Sequence, residues 1–296
     1  MTDLKKIAGM LVAAVSFVLA AAPSELLKYT PNDCTKIIRL DCSVLTRIPE
    51  MQRALNEQTD EFIPGGVKAE QLVFKEVVVC DNGKSEDWVF VKVPENYDPV
   101  SALRQSGVLC QELKSEKLPA DVKLWELSAE NESIKLASCK LAPDVLMCGS
   151  EGDVAKYFAK AQPVTPNSEL LALLDSAKDD DLAMVMAVPA VISAGNSKEK
   201  MVLSGSFIDG GSMRFRATIK TGAPARSAWY QLMMPQSVAV LMGVLFPEEP
   251  ELALDVLSRI KTKKTGDLVV SEIELPAEIA RKFIIRIAEI AASGVF

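Results

Sequence analysis

The sequence predicts an α+β protein with two tandem units of antiparallel sheet packed with helices, behind an N-terminal signal peptide. Three observations support this: an export-signal layout in residues 1–22, apolar alternation that marks hairpins, and a similar element order that occurs twice. We place the first unit at 23–165, with all cysteines, and the second at 166–296. The boundary lies between Pro163 and Asp181, where a turn-forming step and an acidic run occur.

The first 22 residues have the layout of a bacterial secretory signal. Met1–Lys6 carries two lysines, and Ile7–Ala22 is an unbroken run of apolar and small residues. That run is shorter than the roughly 20 residues needed to span a bilayer. We therefore expect cleavage after Ala20 or Ala22, export to the periplasm or cell surface, and no stable transmembrane helix in the mature chain.

The first unit opens with an alternating strand, Lys36–Cys42, followed by a helix through Met51 and Leu55. Asn82-Gly83 between two alternating apolar runs then indicates a hairpin, because the central residues of such turns need positive φ. The other predicted elements are hairpin strands Leu72–Cys80 and Trp88–Val93, a short helix through Ala102 and Leu103, strands Val122–Leu127, Ile134–Leu141 and Val145–Gly149, and a helix over Glu151–Lys160.

The second unit repeats this plan after a helix through Leu170 and Leu174. Its last helix is clearly marked, because Pro276 stands at the start and the apolar residues share one face. In order, the predicted elements are strand Leu182–Val188, hairpin strands Met201–Phe207 and Met213–Ile219, an apolar helical segment over 224–246, hairpin strands Asp255–Lys263 and Leu268–Leu275, and helix Pro276–Ala292.

Ser227–Pro247 is a run of 21 residues without a charge. Pro235 in its middle predicts two shorter buried helices instead of one long helix. Its aromatic and methionine side chains form either part of the core or the wall of an apolar ligand site. Those side chains are Trp229, Tyr230, Met233, Met234 and Met242.

Two segments resemble uncharacterised exported bacterial proteins of the domain-of-unknown-function type. One is Lys28–Asp33 leading into Ile37–Asp41, and the other is Val145–Ser150 followed by an acidic helix start at Glu151. The resemblance implies the two-unit arrangement and brings no activity with it.

Composition excludes several function classes. The formal charge of −7 disfavours binding to nucleic-acid phosphates. The chain has no histidine, which removes Ser-His-Asp and Cys-His catalysis and most zinc sites.

An even number of cysteines in an exported chain suggests disulfides, and six cysteines allow 15 pairings. They are Cys34, Cys42, Cys80, Cys110, Cys139 and Cys148. The alternative is a set of small buried thiols. Cys139 and Cys148 are predicted to be near neighbours, but a hairpin centred on Pro143 sets residue 139 opposite 147, so a bridge there is geometrically demanding.

No catalytic, cofactor or metal residue is assigned. Ser197–Lys200 and Ser258–Lys261 match SxxK, but the first lies in a polar turn and the second in a predicted strand, where its two residues face opposite ways. Asp179–Asp181 lacks the spacing of a calcium loop and is interpreted as a solvated linker.

Three functions remain open. The first is a non-enzymatic binding or structural protein of the cell envelope, which predicts an exposed apolar patch or an unpaired strand edge. The second is a carrier of lipid or another apolar ligand, which predicts a cavity beside Trp229 and Met233. The third is a histidine-free hydrolase, which predicts converging carboxylates or a Ser–Lys pair in a cleft. The expected partner is accordingly an envelope protein or an apolar ligand.

Overall fold

A computed structural model describes residues 25–41, 74–83, 86–105, 107–129, 132–160, 168–178, 180, 182–188, 199–208 and 211–283. Its strands form one twelve-stranded antiparallel sheet, with helices on both faces. The predicted α+β class is therefore confirmed. The signal peptide, the helix through Met51 and Leu55, and the unit boundary at residues 165 and 166 lie outside the described residues and stay predictions.

The strands are β1 Lys36–Asp41, β2 Glu76–Asp81, β3 Asp87–Lys92, β4 Leu109–Leu113, β5 Lys123–Ala129, β6 Glu132–Ala142, β7 Val145–Gly149, β8 Leu182–Ala187, β9 Lys200–Phe207, β10 Met213–Lys220, β11 Lys261–Thr265 and β12 Leu268–Leu275. The helices are α1 Pro99–Gln105, α2 Glu151–Ala159, α3 Ser168–Asp175, α4 Pro224–Leu245 and α5 Pro250–Ser258, with a 3₁₀ helix at Glu25–Tyr29 and a further helix, α6, described over 277–283.

The strand order shows the tandem plan directly. It runs β11-β12-β10-β9-β8-β1-β2-β3-β7-β6-β5-β4. Read outward from the β1–β8 pair, the first half is β1-β2-β3-β7-β6 and the second is β8-β9-β10-β12-β11, which is the same arrangement. β5 and β4 extend the first half by one hairpin. Because β1 pairs with β8, the two halves share one continuous sheet.

Both faces of the sheet are covered by buried apolar clusters. On one face, which we call the α4 face, valines of β2 and β3 pack with Met242, Phe246 and Val256 from the α4–α5 region. On the other, the α2 face, Trp88 and Phe90 pack with α2, α3 and the 3₁₀ helix. Alternation along each strand supplies both cores, since successive side chains point to opposite faces.

Helix α4 differs from its prediction, because it continues through Pro235 as one element. Proline has no N–H to donate to the carbonyl of Gln231, so one hydrogen bond of the helix is missing there. The helix is held on either side of this gap, where Tyr230, Met234 and Met242 are buried. Tertiary packing thus outweighs the local cost of proline.

Replacing Pro235 with alanine is expected to raise the free energy of unfolding by about 1–3 kcal/mol, because it restores an interior helix hydrogen bond. Urea denaturation measures the change. Pro224→Ala is the matched control, since Pro224 stands at the first helical position, where no intrahelical N–H bond is lost. Equal effects of the two substitutions would contradict this explanation.

The predicted strand Asp255–Lys263 is wrong over its first part. Residues 250–258 form α5, which begins at Pro250 and buries Val256. Asp255 and Arg259 form an ion pair one turn apart, with an N–O distance of 3.0 Å. Ser258 therefore ends a helix and donates to the carbonyl of Asp255 at 2.7 Å, whereas Lys261 begins β11.

The described cysteines, 34, 80, 110, 139 and 148, are free thiols, and Cys42 lies outside the described residues. Cys139 is paired with Met147, as predicted, and Cys148 with Ser138. Cys139 and Cys148 are therefore close in register but belong to the cores on opposite faces, so no bridge joins them. Burial raises the pKa of both thiols to about 12.

The acidic run near residue 180 is not simply a solvated linker. Asp180 is buried, and its carboxylate accepts from the Ser206 hydroxyl at 2.8 Å and pairs with Arg216 at 3.5 Å. Its main-chain carbonyl accepts from Arg39 at 2.9 Å. These contacts tie the segment before β8 to strands of both halves.

Candidate functional site

The two outer strands of the sheet, β4 and β11, are built differently. β11 carries Lys261, Lys263 and Lys264, all exposed. Lysines on an edge strand oppose pairing with another chain. β4 has the sequence Leu-Cys-Gln-Glu-Leu, without a lysine or proline. Among the described strands none pairs with its outer side, because β4 ends the strand order. The edge of β4 is therefore the less protected of the two.

The turn before β4 sets the direction of this edge. Gly107 has φ +83°, a value that favours glycine, and its N–H donates to the carbonyl of Arg104 at 3.1 Å. The Val108 N–H then donates to the carbonyl of Leu103 at 3.0 Å. Val108 itself is buried with Trp125 and Leu127, which anchors the start of the strand on the α4 face.

Main-chain groups of alternate β4 residues point away from β5. The carbonyl of Cys110 accepts from the Arg104 guanidinium at 3.1 Å, so it lies on the outer side. Val108 N–H, two residues earlier, also bonds away from β5. By alternation, the N–H and C=O of Glu112 face outward as well. An added strand would meet these groups at Cys110 and Glu112.

A cavity of about 580 Å³ runs along this edge. Its lining is part apolar and part charged: Arg104, Gly107, Val108, Leu109, Cys110, Gln111, Glu126 and Ser128. Leu109 is 73% exposed, more than the other large apolar side chains of the described chain. Glu126 and Ser128 lie on β5 opposite Gln111 and Leu109, so the cavity covers one face of the β4–β5 hairpin and reaches its edge.

The ionisable groups at the β4 edge include an exposed ion pair and a thiol. Glu112 forms an ion pair with Lys123 at 3.1 Å, and both side chains are about half exposed. Burial raises the pKa of the Cys110 thiol, while the neighbouring Arg104 acts in the opposite direction. The thiol therefore stays protonated at neutral pH and is a poor nucleophile.

A second cavity, of about 330 Å³, lies on the α2 face of the second half. Its lining is Ser212, Arg259, Lys261, Glu272, Glu274 and Pro276. Glu272 pairs with Arg216 at 3.3 Å and Glu274 with Arg214 at 3.5 Å, across β10 and β12. These carboxylates form cross-strand ion pairs on the sheet surface.

The residues predicted from the charge-free segment separate in the structure. Tyr230 and Met234 are buried in one core, with Met233 packed against it, and Met242 is buried in another. The Tyr230 hydroxyl donates to Glu199, which also pairs with Arg226 at 3.6 Å near the start of α4. Trp229 is 42% exposed. Neither cavity described above is lined by these residues.

No metal or nucleophile site comes together in the described ranges. Groups of three or more metal-binding side chains are absent from them. Of the first SxxK match, Ser197 lies outside the described residues and Lys200 begins β9, while Ser258 and Lys261 of the second match belong to different elements. Within the same ranges, none of the helices combines the length and apolarity needed to cross a bilayer.

Sequence reasoning missed β4, and with it Arg104 and Leu109. The strand is five residues long and lacks clear alternation, since Gln111 and Leu113 share a face with Leu109. The usable signal was Gly107 followed by Val108, a turn residue before a β-branched one.

No protein-family model matches the chain, and no curated protein matches it. Among solved structures, the fold is similar to crystal form I of TP0453, with a TM-score of 0.43 and 9% sequence identity. The superposition covers 87% of this chain and 97% of that one.

Proposed function

We propose that this chain is a non-enzymatic binding protein of the bacterial cell envelope, and that its β4 edge receives an extended segment of a partner protein. The observation that carries this is the outer edge of β4, with which none of the described strands pairs, beside a groove containing the 73% exposed Leu109. Strand addition takes its affinity from main-chain hydrogen bonds and its specificity from alternate side chains. The lysines of β11 oppose pairing with another chain, and β4 has none, which supports a binding role for the β4 edge.

The proposed export is supported by the sequence of residues 1–22, which has two lysines, an apolar run and small residues. Fractionation of the native host tests it. A cytoplasmic protein that retains residues 1–22 would contradict the proposed location in the cell envelope.

The binding edge is tested with a photoreactive side chain at position 109, in the envelope of the native host. We expect one specific cross-linked product, and at least tenfold less of it when Glu112→Pro is added. Proline at 112 removes an outward N–H and leaves the β4–β5 ladder intact, so it blocks strand addition selectively. Unchanged cross-linking in that variant would contradict strand addition.

Position 263 on β11 is the matched control for this experiment. It lies on the opposite outer strand and is also exposed. Cross-linking from position 263 as strong as from 109 would show that either edge is merely accessible. That result would overturn a specific role for β4.

A carrier of an apolar ligand is the second candidate. It is favoured by the exposed side chains of α4, where Trp229 is 42% and Leu232 60% exposed within the charge-free segment. Lipid mass spectrometry on the purified native protein separates the two functions. A stoichiometric lipid that is lost in Leu232→Lys, but retained in Glu112→Pro, would favour the carrier.

A further inference from the structure

We propose that the partner at the β4 edge is a second copy of this chain, paired antiparallel with β4 about a two-fold axis through Gln111. This inference rests on the proposed strand-adding role of the edge and names its occupant. In such a closed dimer, one surface must be complementary to itself. The five residues of β4 satisfy that condition when Gln111 lies on the two-fold axis.

The register is set by the axis. With Gln111 on the two-fold, Leu109 stands opposite Leu113 of the second copy, and Cys110 stands opposite Glu112. Cys110 and Glu112 are the residues whose main-chain groups face outward, so their pairing places hydrogen-bond donors against acceptors. The carbonyl of Cys110 can accept both from Arg104 and from an added strand, because it has two lone pairs.

The apolar contact explains the exposure of Leu109. Leu109 and Leu113 share the α2 face, and Leu113 already packs against the edge of the core there. In the dimer, each Leu109 would lie beside Leu113 of the other copy. Two 73% exposed leucines would be covered at once.

The charges are complementary in the same register. Arg104 lies against Cys110, since its guanidinium donates to that carbonyl at 3.1 Å. Glu112 of the second copy would arrive opposite Cys110, and so beside Arg104. Its side chain is 52% exposed in the single chain, where it pairs with Lys123. The two-fold axis would form this Arg–Glu contact twice.

The contact is small. Five residues per strand pair bury less than the roughly 1,200–2,000 Å² of stable complexes. We therefore expect a weak dimer, with a dissociation constant on the order of micromolar or above. An unrelated extended peptide would use the same edge but would bring no matching Leu113 or Glu112.

The decisive test is a cysteine on the axis. Gln111→Cys, made with Cys110→Ser to remove the adjacent thiol, would face itself at a Cα separation of about 4.5 Å, within disulfide range. Oxidation of the purified exported protein, for instance by oxidised glutathione, should give a covalent dimer on non-reducing gels. Lys263→Cys in the same background should remain monomeric. A monomeric Gln111→Cys variant would overturn the inference.

Sedimentation velocity of the chain between about 1 and 300 μM supplies the second test. We expect Arg104→Glu to weaken the dimer about tenfold or more, and Arg104→Glu with Glu112→Arg to restore it. A chain that stays monomeric throughout would also overturn self-pairing. If position 109 then cross-links a different protein in a Glu112→Pro-sensitive manner, the proposed function stands with another occupant. If it cross-links nothing, both proposals fail.

Discussion

Replacing Arg39 with methionine is expected to lower the free energy of unfolding by about 3 kcal/mol, because three carbonyls lose a buried donor. Arg39 is 2% exposed on β1. Its guanidinium donates to the carbonyls of Ala177 at 3.1 Å, Lys178 at 3.4 Å and Asp180 at 2.9 Å. Methionine fills a similar volume, so the change isolates these hydrogen bonds from packing. Urea unfolding followed by circular dichroism measures the loss.

Arg216→Met is the matched control for Arg39. Arg216 lies on the same sheet face and pairs with Glu272 at 3.3 Å and Asp180 at 3.5 Å, but its side chain is 34% exposed. Ion pairs this accessible to water contribute little, so we expect a loss of about 1 kcal/mol or less. Equal losses in the two variants would show that burial of the Arg39 donor is not what matters.

The role of Arg39 could not have been predicted from its neighbours. The strand Lys36–Cys42 was predicted from its alternation, and the register of β1 with β2 and β8 places Ile37 and Arg39 on one buried face. A charged residue in an alternating strand normally indicates the solvent side. Here the acceptors come from residues 177–180, far along the chain, so only the tertiary fold reveals them.

Elements with a strong local signal were predicted well. The strand Leu268–Leu275 was predicted with the same bounds as β12, since apolar alternation follows a turn at Gly266, which has φ +62°. The hairpin of β2 and β3 was also predicted, and Gly83 has the expected positive φ of +72°. Such features depend on short-range sterics and on period-two patterning.

The wrong predictions concern elements whose structure is determined by non-local packing. Pro235 should end a helix locally, yet buried side chains on both sides keep α4 continuous. Residues 255–258 alternate enough to suggest a strand, but Pro250 begins a helix whose Val256 packs in the core. The β4 edge was missed for a related reason. β4 is positioned by its pairing with β5, and its five residues alternate too little for a strand to be predicted from them.

Trp88→Ala is expected to destabilise the protein by about 3–5 kcal/mol, the range for a large aromatic side chain removed from a packed core. Trp88 is fully buried on β3, within the core of the α2 face. Its indole N–H donates to the carbonyl of Asp153 at 2.8 Å, which fixes α2 on the sheet. The ammonium of Lys160 lies 4.2 Å from its ring centre and also bonds Asp33 at 2.8 Å. Urea denaturation measures the change.

Two further variants separate the contributions of Trp88. Trp88→Phe keeps most of the apolar volume but removes the N–H, so we expect a loss of about 1 kcal/mol beyond the change in volume. Trp229→Ala removes the same side chain from α4, where it is 42% exposed, and should cost about 1 kcal/mol. A Trp229 variant as unstable as the Trp88 variant would mean that the part of α4 around Trp229 is covered in the native protein. It would then be part of the core and not a surface for an apolar ligand.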